Sequence, residues 1–254
     1  MPISPPIPMA AAGMKHRERT YRDTMRHPHL VGFQVTVKET DLHIQAERQL
    51  TDITRELVME YRGYIEAYIQ QHPDFVRAMT PWLHPSPAPR IIQAMATAAG
   101  KAGVGPMAAV AGAIAESVGA DLLAHSSEII VENGGDIFIR LNSPALIGIY
   151  AGSSPLSMKI GIRLAARPDP VGICTSSGTV GHSISFGSAD AVCVISPSCA
   201  LADAAATAVG NRVCKPSDIG PAIQWGQRIQ GVDGIVIIKK DKIGAWGEIE
   251  VVPL

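Results

Sequence analysis

The sequence predicts an α/β (α+β) protein, and three observations carry that prediction. Residues 30–46 alternate apolar and polar side chains in patches, first through Val31, Phe33, Val35 and Val37, then through Leu42, Ile44 and Ala46. That period of two belongs to a half-buried strand. Residues 47–71 switch to helical spacing, with Leu50, Ile53, Leu57, Val58, Tyr61, Ile65 and Tyr68 forming one apolar stripe. The second half of the chain then breaks into short runs rich in Ile and Val, separated by turn residues.

Taken in chain order, the elements begin after a leader that carries Pro2, Pro5, Pro6 and Pro8. Prolines at that density forbid the helix of a signal peptide, and no basic segment precedes an apolar run. Residues 1–20 are therefore expected to be a disordered, Pro-rich leader, with Met14 an alternative start, and 21–254 a single domain. The alternating segment folds as a hairpin broken at Glu39-Thr40-Asp41. The long helix stops before His72-Pro73, because the residue preceding proline avoids the helical region. The Pro-rich stretch 81–89 resembles a linker, but a hairpin and one helix bury too little surface to stand alone. A helix over 90–102 follows. Gly103 to Pro106 interrupts it, and Pro106 opens a second helix reaching Leu123.

That second helix carries Met107 and then almost nothing large up to Ala115. Ala and Gly at such density permit close approach by another backbone, or by a flat ligand, and both readings stay open. Strands are expected at 128–131, 137–141, 145–150, 160–164, 171–174 and 191–195. A helix over 199–211 and another before Gly231 follow. The chain closes with a hairpin of 235–238 and 245–252, turning within 241–244.

The composition excludes several functions. A formal net charge of -1 over 254 residues leaves no broad basic field, and an aromatic content of 5% supplies few stacking platforms, so no nucleic acid partner is expected. The uncharged stretch between Lys101 and Glu116 is too short to span a membrane, and residues 141–158 are broken by Pro, Gly and Ser. The expectation is a cytoplasmic protein without a membrane partner. Cys174, Cys193, Cys199 and Cys214 show no C-x-x-C spacing. Each stands among apolar or small residues, which points to buried, reduced thiols. Cys174, with a polar loop after it, is also a candidate nucleophile.

Three constellations bear chemistry. The first is Asn133-Gly134-Gly135-Asp136, joining two strands. Its glycines suit a tight hairpin turn, and a tip with Asn, Asp and two bare amides also suits a hydroxyl or phosphate. The second is Asp203 and Thr207, four apart on one helix face among small apolar residues. A carboxylate there needs a hydrogen bond, a partner or a cation, and carboxylate plus hydroxyl is a hard-oxygen set suited to Mg2+. The third is Thr175, Ser176, Ser177, Gly178 and Thr179 after a strand, with His182 beyond. It reads as an anion cradle, or as a Ser/His pair using Ser176 or Ser177 with His182 oriented by Asp190 or Asp203. No G-x-S-x-G elbow accompanies it.

In this order and spacing, the segments resemble the ApbE-like FAD:protein FMN transferases. Asn133–Asp136 is similar to that superfamily's Asn-x-Gly-Gly-Asp turn. Ala202-Asp203-Ala204-Ala205-Ala206-Thr207-Ala208 is similar to its A-D-A-x-A-T-A helix, and Thr175–Gly178 to its T-S-G segment. The match runs from Gly103 to Asn211, a little under half the chain. The whole chain resembles a short, divergent branch with stretches like Val37–His43 and Val104–Gly112. The resemblance implies a central mixed sheet flanked by helices. It also implies Asp203 and Thr207 as Mg2+ ligands, with Asp203 and His182 as catalytic candidates. FAD or a related flavin would be the ligand, lined by Asn133–Asp136 and Thr175–Thr179.

Its expected partners are a small phosphate-containing molecule and a protein acceptor; a homo-oligomer stays open. The chain departs from the superfamily in two places. Val104-Gly105-Pro106-Met107-Ala108-Ala109 replaces a K-G-x-A-x-D segment, and the shorter stretch 181–187 lacks an H-x-x-D-P-x-T-G segment. These departures keep a second reading in view, a non-catalytic ligand-binding or assembly protein on the same fold.

Overall fold

The structure, a computed structural model, describes residues 22, 27–83, 87–178 and 187–254. The expected leader, Thr179 and His182 lie outside the described residues. Among the described residues eleven β-strands and five α-helices follow in order: β1 (Val31–Val37), β2 (Thr40–Ala46), α1 (Thr51–Gln71), α2 (Arg90–Ala102), α3 (Val110–Leu122), β3 (Ile129–Asn133), β4 (Asp136–Arg140), β5 (Ala145–Gly148), β6 (Ile160–Leu164), β7 (Val171–Ser176), β8 (Ala191–Ser196), α4 (Cys199–Gly210), α5 (Ile219–Gly226), β9 (Gly234–Lys239), β10 (Lys242–Gly247) and β11 (Glu250–Pro253).

The main sheet has eight strands in the order β1-β2-β3-β4-β7-β8-β9-β10, and a second sheet has the order β11-β6-β5. The sequence is right about an α+β protein built on a central sheet. It misses the pairing, because every strand pair is antiparallel rather than mixed. Helices flank the sheet as expected. All five helices cover one face of the main sheet, where Val35, Leu42, Val131, Phe138, Val194 and Ile237 meet them in one core. The other face is covered by the small sheet. There Ile130, Ile137, Ile139, Ile173, Ile195 and Val236 pack against Ile147, Ile149 and Ile162. Alternate residues of the same strands thus enter different cores, as the pleat requires.

Burial on both faces explains the Ile/Val runs. β3, β8 and β9 are buried at every position, so they show no polar alternation. β1, at the edge, keeps its polar face in water and shows it. The closing hairpin needs correction. It turns at Lys240 and Asp241, with Lys242 opposite Lys239, and pairs only through Gly247. Val251 and Val252 leave it to pair with β6 in the small sheet. Pro253 sits in that edge strand, where its missing N–H is tolerated. Among the described residues no single helix is long and apolar enough to cross a membrane, and α2 and the segment Pro106–Leu122 meet at a 105° bend.

Candidate functional site

The site is built outward from the β3–β4 turn. Asn133 and Asp136 are directly opposed, leaving Gly134 and Gly135 as a two-residue loop with φ of 69° and 108°. Only glycine takes both values without strain, which is why the turn is Gly-Gly. The opposed pair shares a face, and Phe138, two residues on, points into the helical core. Asn133 and Asp136 therefore lie under the helices, both buried. Cys174 continues the row on β7, opposite Asp136. The motif is both a tight turn and a presentation of two polar side chains to the helical face.

From below, Glu132 fixes the turn. Its Oε1 accepts from the Gly135 N–H at 2.8 Å, and its Oε2 accepts from Arg22 Nε at 2.7 Å. Arg22 also reaches Asp41 at 3.0 Å. One guanidinium thus serves two buried carboxylates behind the loop, which offsets the desolvation of all three.

Helices α3 and α4 close the site from above, and each supplies a carboxylate to the other's N-terminus. Asp203 of α4 accepts from the Gly112 N–H of α3 at 2.9 Å. Glu116 of α3 accepts from the Ala200 N–H of α4 at 2.9 Å and from the hydroxyl of Ser198, the N-cap of α4. Both contacts place negative charge where helix dipoles favour it. The exchange requires close approach, and Gly112 permits it: a Cβ there would lie 2.4 Å from the Cys199 carbonyl oxygen and 2.8 Å from Asp203 Cβ. At Gly112, then, the small-residue helix serves backbone packing. Asn133 ties the turn to the same helix, donating from Nδ2 to the Ala111 carbonyl at 3.1 Å.

Ten of the twelve residues of α4 are buried, and the two that are not are Asp203 and Thr207. A helix enclosed on its other faces thus opens at one carboxylate and one hydroxyl. Asp136 faces Asp203 from the sheet, close enough for each charge to act on the other. Burial and then the Asp203 charge push the Asp136 carboxyl well above the usual range, against the Cys174 thiol and the Thr175 N–H, which favour its charged form. Burial raises Asp203 to about 7, although the Gly112 and Ala111 amides pull it down. Among the described residues no Lys or Arg forms a salt bridge with either carboxylate. Near neutral pH such a pair holds a proton or a cation. No group of three or more His, Cys, Asp or Glu that could hold a metal occurs among the described residues. A metal here would complete its shell with Thr207, water and ligand oxygens.

The other sequence candidates are placed as follows. Thr175 turns its side chain to the opposite face beside Cys193, leaving its backbone N–H near Asp136. Ser176 lies on the helical face near Gly210, beyond Thr207 along α4. Gly178 donates to the Ala189 carbonyl at 2.9 Å. Of the two carboxylates offered to orient His182, Asp190 accepts from the Lys240 N–H and Asp203 from α3. Cys174, Cys193 and Cys199 are buried and free, whereas Cys214 is exposed, contrary to expectation. Burial holds the Cys174 thiol well above its ordinary range, which removes it as a thiolate nucleophile at neutral pH. Sequence reasoning gave no role to Arg22, Asp41, Glu132 or Glu116, although Glu132 stands in the turn motif Val131–Ile137 itself and Asp41 in the stretch Val37–His43.

This architecture is that of ApbE-type proteins. The crystal structure of the ApbE protein from Thermotoga maritima matches with a TM-score of 0.51 at 12% identity, over 86% of this chain and 97% of that one. The chain matches the family described as "AbpE bacteria" over residues 22–243 and belongs to it, as a divergent branch of the ApbE-like proteins. The UPF0280 protein of Methanocella arvoryzae is 40% identical over 84% of this chain and 87% of its own length. The UPF0280 protein of Methanosphaerula palustris is 44% identical over 84% and 89%.

Proposed function

We propose that this chain binds FAD or a related phosphate-containing flavin together with Mg2+, at the site framed by Asp136, Asp203 and Thr207. The observation that carries the reading is the opening of α4 at Asp203 and Thr207 alone, with Asp136 facing them and, among the described residues, no Lys or Arg in a salt bridge with either carboxylate. The donor set fits a hard cation: two carboxylates and a hydroxyl, all oxygen. Asp203 and Thr207 would hold the metal, with Asp136 beside them. When bound, the cation supplies neutralisation of charge on phosphate oxygens and on a departing nucleotide.

The protein's own groups do the rest. The Gly134 and Gly135 turn, held by Glu132, keeps Asn133 and Asp136 at fixed positions under the helices. Ser176, toward the far end of α4, offers a further hydroxyl on the same face. The reaction class is phosphoryl transfer. An acceptor hydroxyl, in FMN transfer a protein hydroxyl, forms a bond to the FMN phosphorus and gives up its proton to solvent, while the pyrophosphate bond breaks and AMP leaves. We place this activity in the cytoplasm, where Cys174, Cys193 and Cys199 stay reduced.

The test is a titration of the purified protein with FAD, with and without Mg2+, read by flavin fluorescence and AMP release. Asp203→Asn is the informative variant. It keeps an oxygen acceptor for the α3 amides and removes the charge. Mg2+-dependent binding is expected in the unaltered chain and lost in the variant. Unchanged Mg2+-dependent binding in Asp203→Asn would show that the metal sits elsewhere. Binding without AMP release supports the second reading, a ligand-binding protein without catalysis. That reading is favoured by one observation: the segment entering α3, Val104–Ala109, carries no charged side chain.

A further inference from the structure

Across the main sheet from the carboxylate pair, a cavity of about 690 Å³ opens between β3–β4 and β5. Ile130, Ile137 and Ile139 of the main sheet and Leu146 and Ile147 of β5 line it, and His27 and Ser143 contribute polar groups. We propose that it binds a small uncharged amphiphile, a hydrocarbon body with one hydroxyl head. The proposal stands independently of the reading of Asp136 and Asp203.

Size comes first. The volume falls within the roughly 300–1,000 Å³ of small-molecule sites. The lining comes next. None of the lining side chains is Lys, Arg, Asp or Glu, so a charged ligand would gain little to offset its lost hydration. Two of its residues, Leu146 and Leu254, are 48% and 50% exposed. A hydrocarbon seated against them removes that apolar surface from water.

The polar pair specifies the head. His27 Nε2 lies 3.0 Å from Ser143 Oγ, and the His27 backbone N–H donates to Gln45 Oε1 at 2.8 Å. The remaining ring nitrogen, Nδ1, is buried and has no hydrogen-bond partner among the described residues. If Nε2 accepts from Ser143, the Ser143 oxygen is left to accept from a ligand. If Nε2 donates, the Ser143 proton is left to donate. A hydroxyl both donates and accepts, so it suits either tautomer of this pair.

The test uses the full chain and the neutral fluorescent probe N-phenyl-1-naphthylamine. Saturable binding near one probe per chain is expected, with displacement by 1-octanol. Octylammonium and octanoate at the same concentration at neutral pH should displace it far less. Ala145→Trp fills the cavity and should abolish probe binding while the FAD titration is unchanged. Leu146→Glu, at an exposed position that tolerates a polar side chain, should weaken probe binding about tenfold or more by charging the rim. Ser143→Ala and His27→Phe should reduce displacement by octanol and spare the probe. Absence of saturable probe binding would overturn the proposal. So would equal affinity in Leu146→Glu, or equal displacement by the charged amphiphiles.

Discussion

Asp203 and Asp136 are two acids held where neither can ionise freely, and a pH signature follows. The native protein keeps a proton on Asp203 up to about pH 7, whereas the unfolded chain releases it in the ordinary carboxylate range. Between those two limits the native state binds more protons, so stability falls as pH rises through the window. Thermal unfolding followed across that range without metal should show the decline. Mg2+ should offset it above pH 7, where a cation takes the proton's place. Asp136→Asn removes the facing charge and should flatten the slope while lowering Mg2+ affinity; an unchanged slope would trace the effect to other groups. The thiols divide as simply. With three buried and one exposed, iodoacetamide should modify Cys214 in the folded protein and spare Cys174, Cys193 and Cys199.

At the scale of elements, the contact between α3 and α4 makes the site. Gly112→Val would drive a side chain into the Cys199 carbonyl and should cost roughly 1–3 kcal/mol by overpacking, read from denaturant unfolding. It should also weaken FAD binding, because Asp203 moves with the helix. Glu116→Ala removes an acceptor at the start of α4 and should cost about 1 kcal/mol, as for other lost caps. The elements that were legible in the sequence carried their own punctuation. Pro73 lies just past α1, Pro106 opens the segment before α3, and Asn133–Asp136 could only be a turn once two strands flanked it.

What was illegible depended on distant residues. Nothing local to Val251 and Val252 says that they desert β10 for β6, since both pairings bury valine equally well. Mixed and antiparallel sheets likewise draw on the same Ile/Val runs. Within the site, the helix pattern exposed Asp203 and Thr207 because charge and hydroxyl stand out among alanines. Glu132 stood within the turn motif, but nothing local joined it to Arg22, 110 positions away.

The molecule as a whole is a sheet covered twice, by helices above and three strands below. Strands β3, β8 and β9 are buried throughout, while β1 and β10 are edges of the main sheet. Backbone amides of the central strands should therefore exchange with solvent slowest, near the global unfolding limit, and those of β10 and β11 fastest, a gradient measurable by hydrogen exchange. The lower layer adds a matter of timing. β11 comes last in the chain, yet it pairs with β6, which precedes β7, β8 and β9. During synthesis the eight-stranded sheet can be complete while β6 still shows a bare edge, and the isoleucines of β4 and β7 have only β5 and β6 over them. A ribosome that stalls before Glu250 therefore releases a chain with an unpaired strand beside apolar surface, the combination that recruits other chains.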